Sequence, residues 1–281
     1  MDGFLLARAI TKQHAKTFYF ASRFLKTDKR NAAYAVYAIC RISDETVDNA
    51  ASSSSEQSLA KLEKNIADVY NQAALDNAIL SALRQTVEKY KIPQEYFREL
   101  IAGMYLDLRK NRYKNFAELS DYCYKVAGVV SLTMLQIFGY KDQKAKDYAV
   151  DLGIAMQLTN ILRDIKEDFG RGRIYLPEDG MSRFGVTETD ICEGRANDNF
   201  KALLKFYISR AREYYANYKS GIKMIDDANS RFVVCAMADI YSGILDSIEK
   251  NNYDIFSRRA HVGILGKITA VLKIILKGEY R

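Results

Sequence analysis

The sequence predicts an all-α protein. Only two prolines occur in 281 residues and helix-forming residues fill nearly every window, so little interrupts a helix. Apolar residues make up 48% of the chain, which excludes a disordered polymer and supplies a large core. The pattern is clearest in Met156–Phe169, where Leu158, Ile161, Leu162 and Ile165 recur at helical spacing without Gly or Pro. The length suits one large domain or two small ones. We expect a single domain over 1–281, with an amphipathic tail over about 264–281.

In chain order, a first helix is expected from Phe4 to Leu25. Thr27 or Asp28 can cap the second, which carries Asn31–Arg41 and ends in the acids Asp44 and Asp48. The polar run Asn49–Ser55 reads as a surface loop, with Ser53 and Glu56 spaced as a capping box. A domain boundary there would strand the first two helices without a core. Helices follow at about 56–71, 76–91 and 94–110, the last opened by Pro93. Asn115 and Glu118 can cap a helix over Leu119–Phe138 whose Tyr122, Val126, Val129, Val130 and Thr133 form an apolar stripe. Ala127 and Gly128 interrupt that stripe, which lets either a long flat ligand or a neighbouring helix come close.

From about Gln143 a long helix runs through Asp168. Gly170–Gly180, with three glycines and a proline, then breaks the period; it is either a plain connection or a basic lid. Thr187 and Asp190 can cap a short helix, and longer ones follow at about 198–220 and 229–251. The tail Ile264–Lys277 pairs a wide apolar face with spaced lysines, suited to docking on the body or to lying on a membrane surface.

Two of these helices carry chemistry. At about 100° per residue, Gln157, Asn160 and Asp168 lie within about 40° of Asp164, while the apolar residues point elsewhere. Carboxylates four apart repel on a bare helix. A stripe of amides and acids makes better sense around a hard cation such as Mg²⁺ shared with a phosphate. The plain alternative is a solvated acidic face, since one such pair is expected by chance. Asp147 and Asp151 have the same spacing but are turned about 100–140° away. A second copy weighs against chance: Tyr37, Arg41, Asp44 and Asp48 share a face within about 60°. Facing each other across a cavity, two such helices would hold two or three Mg²⁺ ions and a diphosphate, with Arg and Lys completing the clamp.

Composition narrows the class further. Cys40, Cys123, Cys192 and Cys235 are widely spaced with no C-x-x-C, which fits free thiols in a reducing cytoplasm. Only His14 and His261 occur, neither in an E-x-x-H pair, so a di-iron bundle is disfavoured. A net charge of +7 suits anionic partners. The basic residues are scattered and no nucleic-acid motif stands out, which leaves a small anion or an acidic membrane surface. With no signal-peptide core and no apolar run of about 18–20 residues, a soluble or peripheral cytoplasmic protein is expected.

Several long motifs, in order, resemble the squalene/phytoene synthase family of head-to-head isoprenoid synthases. They are A-K-T-F-Y at 15–19, Y-A-I-C-R-x-x-D-E-T-V-D at 37–48, Y-C-Y-x-V-A-G at 122–128, Q-L-T-N-I-L-R-D-I-K-E-D at 157–168 with R-G-R-I-Y-L-P after it, and Y-D-I-F-S-R-R-A-H-V at 253–262. The resemblance implies the class I isoprenoid-synthase bundle around a central cavity. It also implies Mg²⁺-dependent 1–1′ joining of two allylic prenyl diphosphates through a cyclopropylcarbinyl diphosphate. Proton loss then gives phytoene or dehydrosqualene, whereas hydride from NADPH gives squalene.

By the same resemblance, Asp44, Asp48, Asn160, Asp164 and Asp168 are the metal ligands, for Mg²⁺ or Mn²⁺. His14, Ala15, Lys16, Thr17, Arg41 and Arg163 would hold diphosphate oxygens, with Tyr37 and Gln157 positioning them. Tyr122 and Tyr241 would stand near the reacting carbons, and Val126, Val130 and Met134 would line the tail channel. The sequence departs from many relatives at Ser131, where Gly is common, and at Thr17, where some have Ser. The first motif lacks a paired Asp-Asp, and the only Asp-Asp in the chain, Asp226-Asp227, lacks a third acid, which argues against head-to-tail elongation.

The leading expectation is a phytoene synthase-like transferase acting on two C20 diphosphates. The alternatives are a C15 enzyme making squalene, dehydrosqualene or presqualene diphosphate, and a non-catalytic assembly factor. NADPH would be needed only for squalene, and no G-x-G-x-x-G fingerprint follows a strand.

Overall fold

The computed structural model describes residues 2–48, 52–278 and 280, with backbone alone for 52 and 53, and the extended pairing among them is a single bridge between Tyr140 and Ile225. Asp2 caps α1 (Gly3–His14) by accepting the Phe4 N–H at 2.9 Å. The chain breaks at Ala15 (φ −127°, ψ 62°) and restarts as α2 (Lys16–Ser22), so the continuous helix expected over 4–25 is two. The reason is tertiary: α1 packs on α3 (Thr27–Asp48) and α5 (Ala78–Tyr90), whereas α2 turns to pack on α13 (Ala228–Lys250).

The helix α4 (Ser52–Tyr70) starts earlier than expected, which puts Ser53 inside its first turn rather than at a cap. Residues 49–51 of the expected polar loop, and the Ser53 side chain of the expected capping box, lie outside the described residues. Asn77 caps α5 through the Ile79 N–H at 2.8 Å, and Lys91 in left-handed conformation ends it. Pro93 is the N-cap of α6 (Gln94–Arg109). Asn115 caps α7 (Phe116–Cys123) through the Glu118 N–H at 3.0 Å.

A π-helical turn, Tyr124–Gly128, joins α7 to α8 (Val129–Phe138), so the expected single helix over 119–138 is a composite. Such a turn inserts one residue and rotates the helix beyond it. Val129 and Thr133 of the expected stripe are packed in the core at 1% and 3% exposure, while Val126, Ala127 and Val130 face a cavity.

Next come α9 (Ala145–Gly170), α10 (Glu178–Phe184), α11 (Glu188–Cys192), α12 (Asp198–Gly221), α13 and α14 (Ile264–Lys277). Thr187 and Asp190 form the expected capping box of α11. The central element is α9. It packs against α12, α8, the π-turn and α13 and buries Leu158, Ile161, Leu162 and Ile165. At Gly153 a methyl group would stand 2.6 Å from the Ala127 carbonyl oxygen and 2.8 Å from the Gly128 Cα. The two backbones therefore touch there, and the small residues at 127 and 128 serve helix contact and cavity wall at once. All four cysteines are free thiols. No helix among the described residues is long and apolar enough to cross a membrane.

Candidate active site

A cavity of about 580 Å³ runs along α9, which lines it from Ala145 to Asp168, about 35 Å of helix. Its two ends differ. Toward the C-terminus of α9 the wall is Gln157, Asn160, Arg163, Asp164, Glu167 and Asp168, joined from α3 by Tyr37, Arg41, Asp44 and Asp48. Toward the N-terminus it is apolar, with Leu152, Val130, Met134, Leu135 and Phe138 among its surfaces. Asp151, of the pair turned away, instead accepts a hydrogen bond from Asn217 at 2.9 Å.

Cations hold the acidic end together. Arg173 donates to Asp48 at 3.0 Å. Arg171 reaches Asp48 at 3.6 Å with one nitrogen and donates to Glu167 at 3.0 Å with another, so one guanidinium spans α3 and α9. Both arginines come from Gly170–Gly180, which lies against the site. Asp164 is gripped by Arg163 and by Arg259, the latter at 2.8 Å from the segment after α13. Arg41 donates to Glu45 at 2.8 Å.

The acids are not alike. Burial pushes the Asp44 carboxyl up to about 7, helped by repulsion from Asp48 and Asp107, with Arg41 opposing. Burial and neighbouring Asp164 push Asp168 up to about 7 as well. Burial acts upward on Asp164 too, yet hydrogen bonds from Arg163 and Arg259 hold it below the usual carboxylate range. Burial lifts the Tyr37 phenol to about 12 and raises those of Tyr122 and Tyr241.

These donors suit a hard divalent cation. The Asn160 Oδ1 is buried and meets no hydrogen-bond partner, although its amide nitrogen donates to Gln157 at 3.4 Å. Two cavity carboxyls, Asp44 and Asp168, raised by burial and by repulsion from neighbouring acids, mark a surplus of oxygen over positive charge, which bound cations would relieve. Among the described residues no three His, Cys, Asp or Glu converge on one point. Ions here would draw their remaining oxygens from water and a bound phosphate.

The structure sorts the other residues singled out from sequence. His14, Ala15, Tyr122, Val126, Val130, Met134 and Tyr241 line the cavity. Lys16, exposed, and Thr17, half-buried, begin α2 but do not line it. Ser131 is part of the wall, and Asp227 is bound to Lys29 at 2.7 Å while capping α13. Asp107, Arg171, Arg173, Tyr175 and Arg259 also line the cavity, although sequence reasoning did not single them out. For Asp107 a signal existed: it shares a face of α6, within about 60°, with Leu100 and Met104, an acid on an apolar stripe.

A helical bundle closed around a tunnel that is acidic at one end and greasy at the other is the architecture of the class I isoprenoid synthases. Within that class the chain belongs to the squalene/phytoene synthase family, whose sequence pattern matches residues 11–265. It is 39% identical to the phytoene synthase of Arthrospira platensis over 93% of this chain and 88% of that one. It is 38% identical to the 15-cis-phytoene synthase of a Synechocystis strain, over 93% and 81%. Its structure is similar to a crystal structure of a dehydrosqualene synthase in complex with ligand, with TM-score 0.93 and 29% identity over 99% and 97% of the two chains. The corresponding figures for squalene synthase HpnC from Alicyclobacillus acidocaldarius are 0.83 and 27%, over 90% and 95%. The chain is thus a prenyltransferase of this family.

Proposed function

We propose that the enzyme joins two geranylgeranyl diphosphates head to head and makes phytoene. The observation that carries this is the polarity of the tunnel along α9, charged at one end and apolar at the other, which matches a diphosphate on a long hydrocarbon tail. The C20 choice rests on the 38–39% identity to proteins named phytoene synthase, against 27–29% for the squalene and dehydrosqualene synthases.

In this reading Asp44, Asp48, Asn160, Asp164 and Asp168 would hold Mg²⁺, which when bound offsets the charge that develops on a departing diphosphate. Arg41, Arg163, Arg171 and Arg173 supply fixed positive charge to the same oxygens, where it lowers the barrier most. His14 and Ala15 would complete that anion site, with Tyr37 and Gln157 positioning it. The rings of Tyr122 and Tyr241 face the allylic cation without trapping it as water would. Val126, Val130 and Met134 keep water from the tail.

The enzyme would work as a peripheral protein on the cytoplasmic face of a membrane, held by α14. Val271 and Ile274 of that helix are buried against the body, while Ile264, Leu265, Ile268, Leu272, Ile275 and Leu276 are exposed within about 120° of one another. Exposed Lys273 and Lys277 lie beyond the Leu276 edge of that face, where they would meet an anionic surface.

The test is product extraction after incubation with geranylgeranyl or farnesyl diphosphate, with Mg²⁺ and with or without NADPH. Phytoene from the C20 substrate without NADPH is expected, and Asp164→Asn should abolish diphosphate release. Turnover of the C15 substrate alone would move the reading to squalene-type products. No diphosphate release from either substrate by the wild type would overturn the catalytic reading in favour of an assembly role.

A further inference from the structure

Asp107 is a cavity carboxylate outside both acidic motifs. It accepts hydrogen bonds from two phenols, Tyr122 at 3.0 Å and Tyr175 at 2.7 Å. The two phenol oxygens are 3.3 Å apart and the rings stack with centroids 5.1 Å apart. Each phenol has one proton, and both protons point toward Asp107, so neither is available to the tunnel. Tyr122 and Tyr175, which line the cavity, therefore have phenol lone pairs rather than protons to offer a ligand, with a proton acceptor directly behind them. Burial raises the Asp107 carboxyl above its usual range, while Arg173 and the hydrogen bonds from Tyr175 and Tyr122 pull the other way.

Resting on the head-to-head reading above, we propose that Tyr122 and Asp107 together accept the proton whose loss ends the reaction. A C–H bond next to the last cationic carbon breaks, and its electron pair becomes the new double bond. The proton passes to Tyr122 Oη as the Tyr122 proton passes to Asp107 Oδ2. A cation and a carboxylate enter the step; a neutral hydrocarbon and a carboxylic acid leave it. Asp107 acts through Tyr122 and is a positioning residue. It holds the phenol's lone pair toward the ligand and takes up the displaced proton. Tyr175 fixes the other oxygen of the same carboxylate and stacks on the Tyr122 ring, so the pair is held from two sides.

The experiment compares the wild type with Asp107→Asn, Asp107→Glu, Tyr122→Phe and the double variant Asp107→Asn/Tyr122→Phe in the full chain. Each is given geranylgeranyl diphosphate and Mg²⁺, and phytoene is measured against cyclopropylcarbinyl diphosphate and water-trapped alcohols. In Asp107→Asn the ratio of phytoene to the other products should fall about 10- to 100-fold. KM should stay within about threefold, because the step lies after binding. Asp107→Glu should recover much of the ratio. Tyr122→Phe should match Asp107→Asn, and the double variant should lose no more than either single one. An unchanged product ratio in Asp107→Asn, or losses that multiply in the double variant, would overturn the proposal. Should Asp107→Asn not fold, Tyr122→Phe alone decides, and a wild-type ratio there overturns it. A wild type that makes no phytoene would count against the functional reading instead.

Discussion

Crowding of carboxylates at the charged end makes stability depend on pH in an unusual direction, and cations should reverse it. Asp44 and Asp168 each move from 3.8 to about 7 on folding. At about 1.4 kcal/mol per pH unit, that rise corresponds to about 4 kcal/mol for a group sealed from water. Solvent reaches both through the cavity and Asp44 is exposed to it, so screening reduces the figure to about 1–2 kcal/mol each. Folded values above unfolded ones mean that this stability is present below about pH 4 and lost as pH climbs through about 7. At about 2–4 °C per kcal/mol for a chain of this size, the two groups together shift Tm by about 4–16 °C. Thermal unfolding followed by circular dichroism at pH 5 and pH 8 should show a steeper loss in the wild type than in Asp44→Asn/Asp168→Asn. Magnesium with pyrophosphate should raise the wild-type Tm more at pH 8 than at pH 5, because protons compete for the same oxygens. Equal losses in wild type and variant, or a Tm gain independent of pH, would refute the reasoning.

Two further outcomes test the scaffold and the surface. Gly153→Ala forces α9 away from the π-turn and should lower Tm by roughly 2–12 °C through about 1–3 kcal/mol of overpacking. Gly170→Ala, with nothing within 4 Å, should not lower Tm in the same melts. Leu265→Asp/Leu272→Asp should abolish flotation of the chain with vesicles containing anionic lipid while leaving its far-UV spectrum intact. Flotation equal to that of the wild type would remove α14 from the membrane.

Much of the bundle was legible because a helix face is a local property. The 3.6-residue period put Tyr37, Arg41, Asp44 and Asp48 on one face, and Gln157, Asn160, Asp164 and Asp168 on another, and all eight line the cavity. Caps at Asn115 and Thr187 were readable for the same reason. The features that escaped depend on partners far along the chain. The break at Ala15 comes from α1 and α2 packing on different helices. The π-turn packs against α9 at Gly153, a contact that no spacing within 119–138 encodes. Arg171 and Arg173 read as loop residues because their carboxylate, Asp48, is more than a hundred positions away in sequence.

A single element, α9, lines both the charged and the apolar end of the tunnel, which would make it a ruler for a substrate lying along it. Each turn advances 5.4 Å, about the length of one five-carbon unit. A bulky side chain moved one turn along its inner face would therefore gate substrates in whole isoprene steps. Acceptance of a shorter or longer chain should then be stepwise and reachable by single substitutions at the greasy end, with the charged end left untouched.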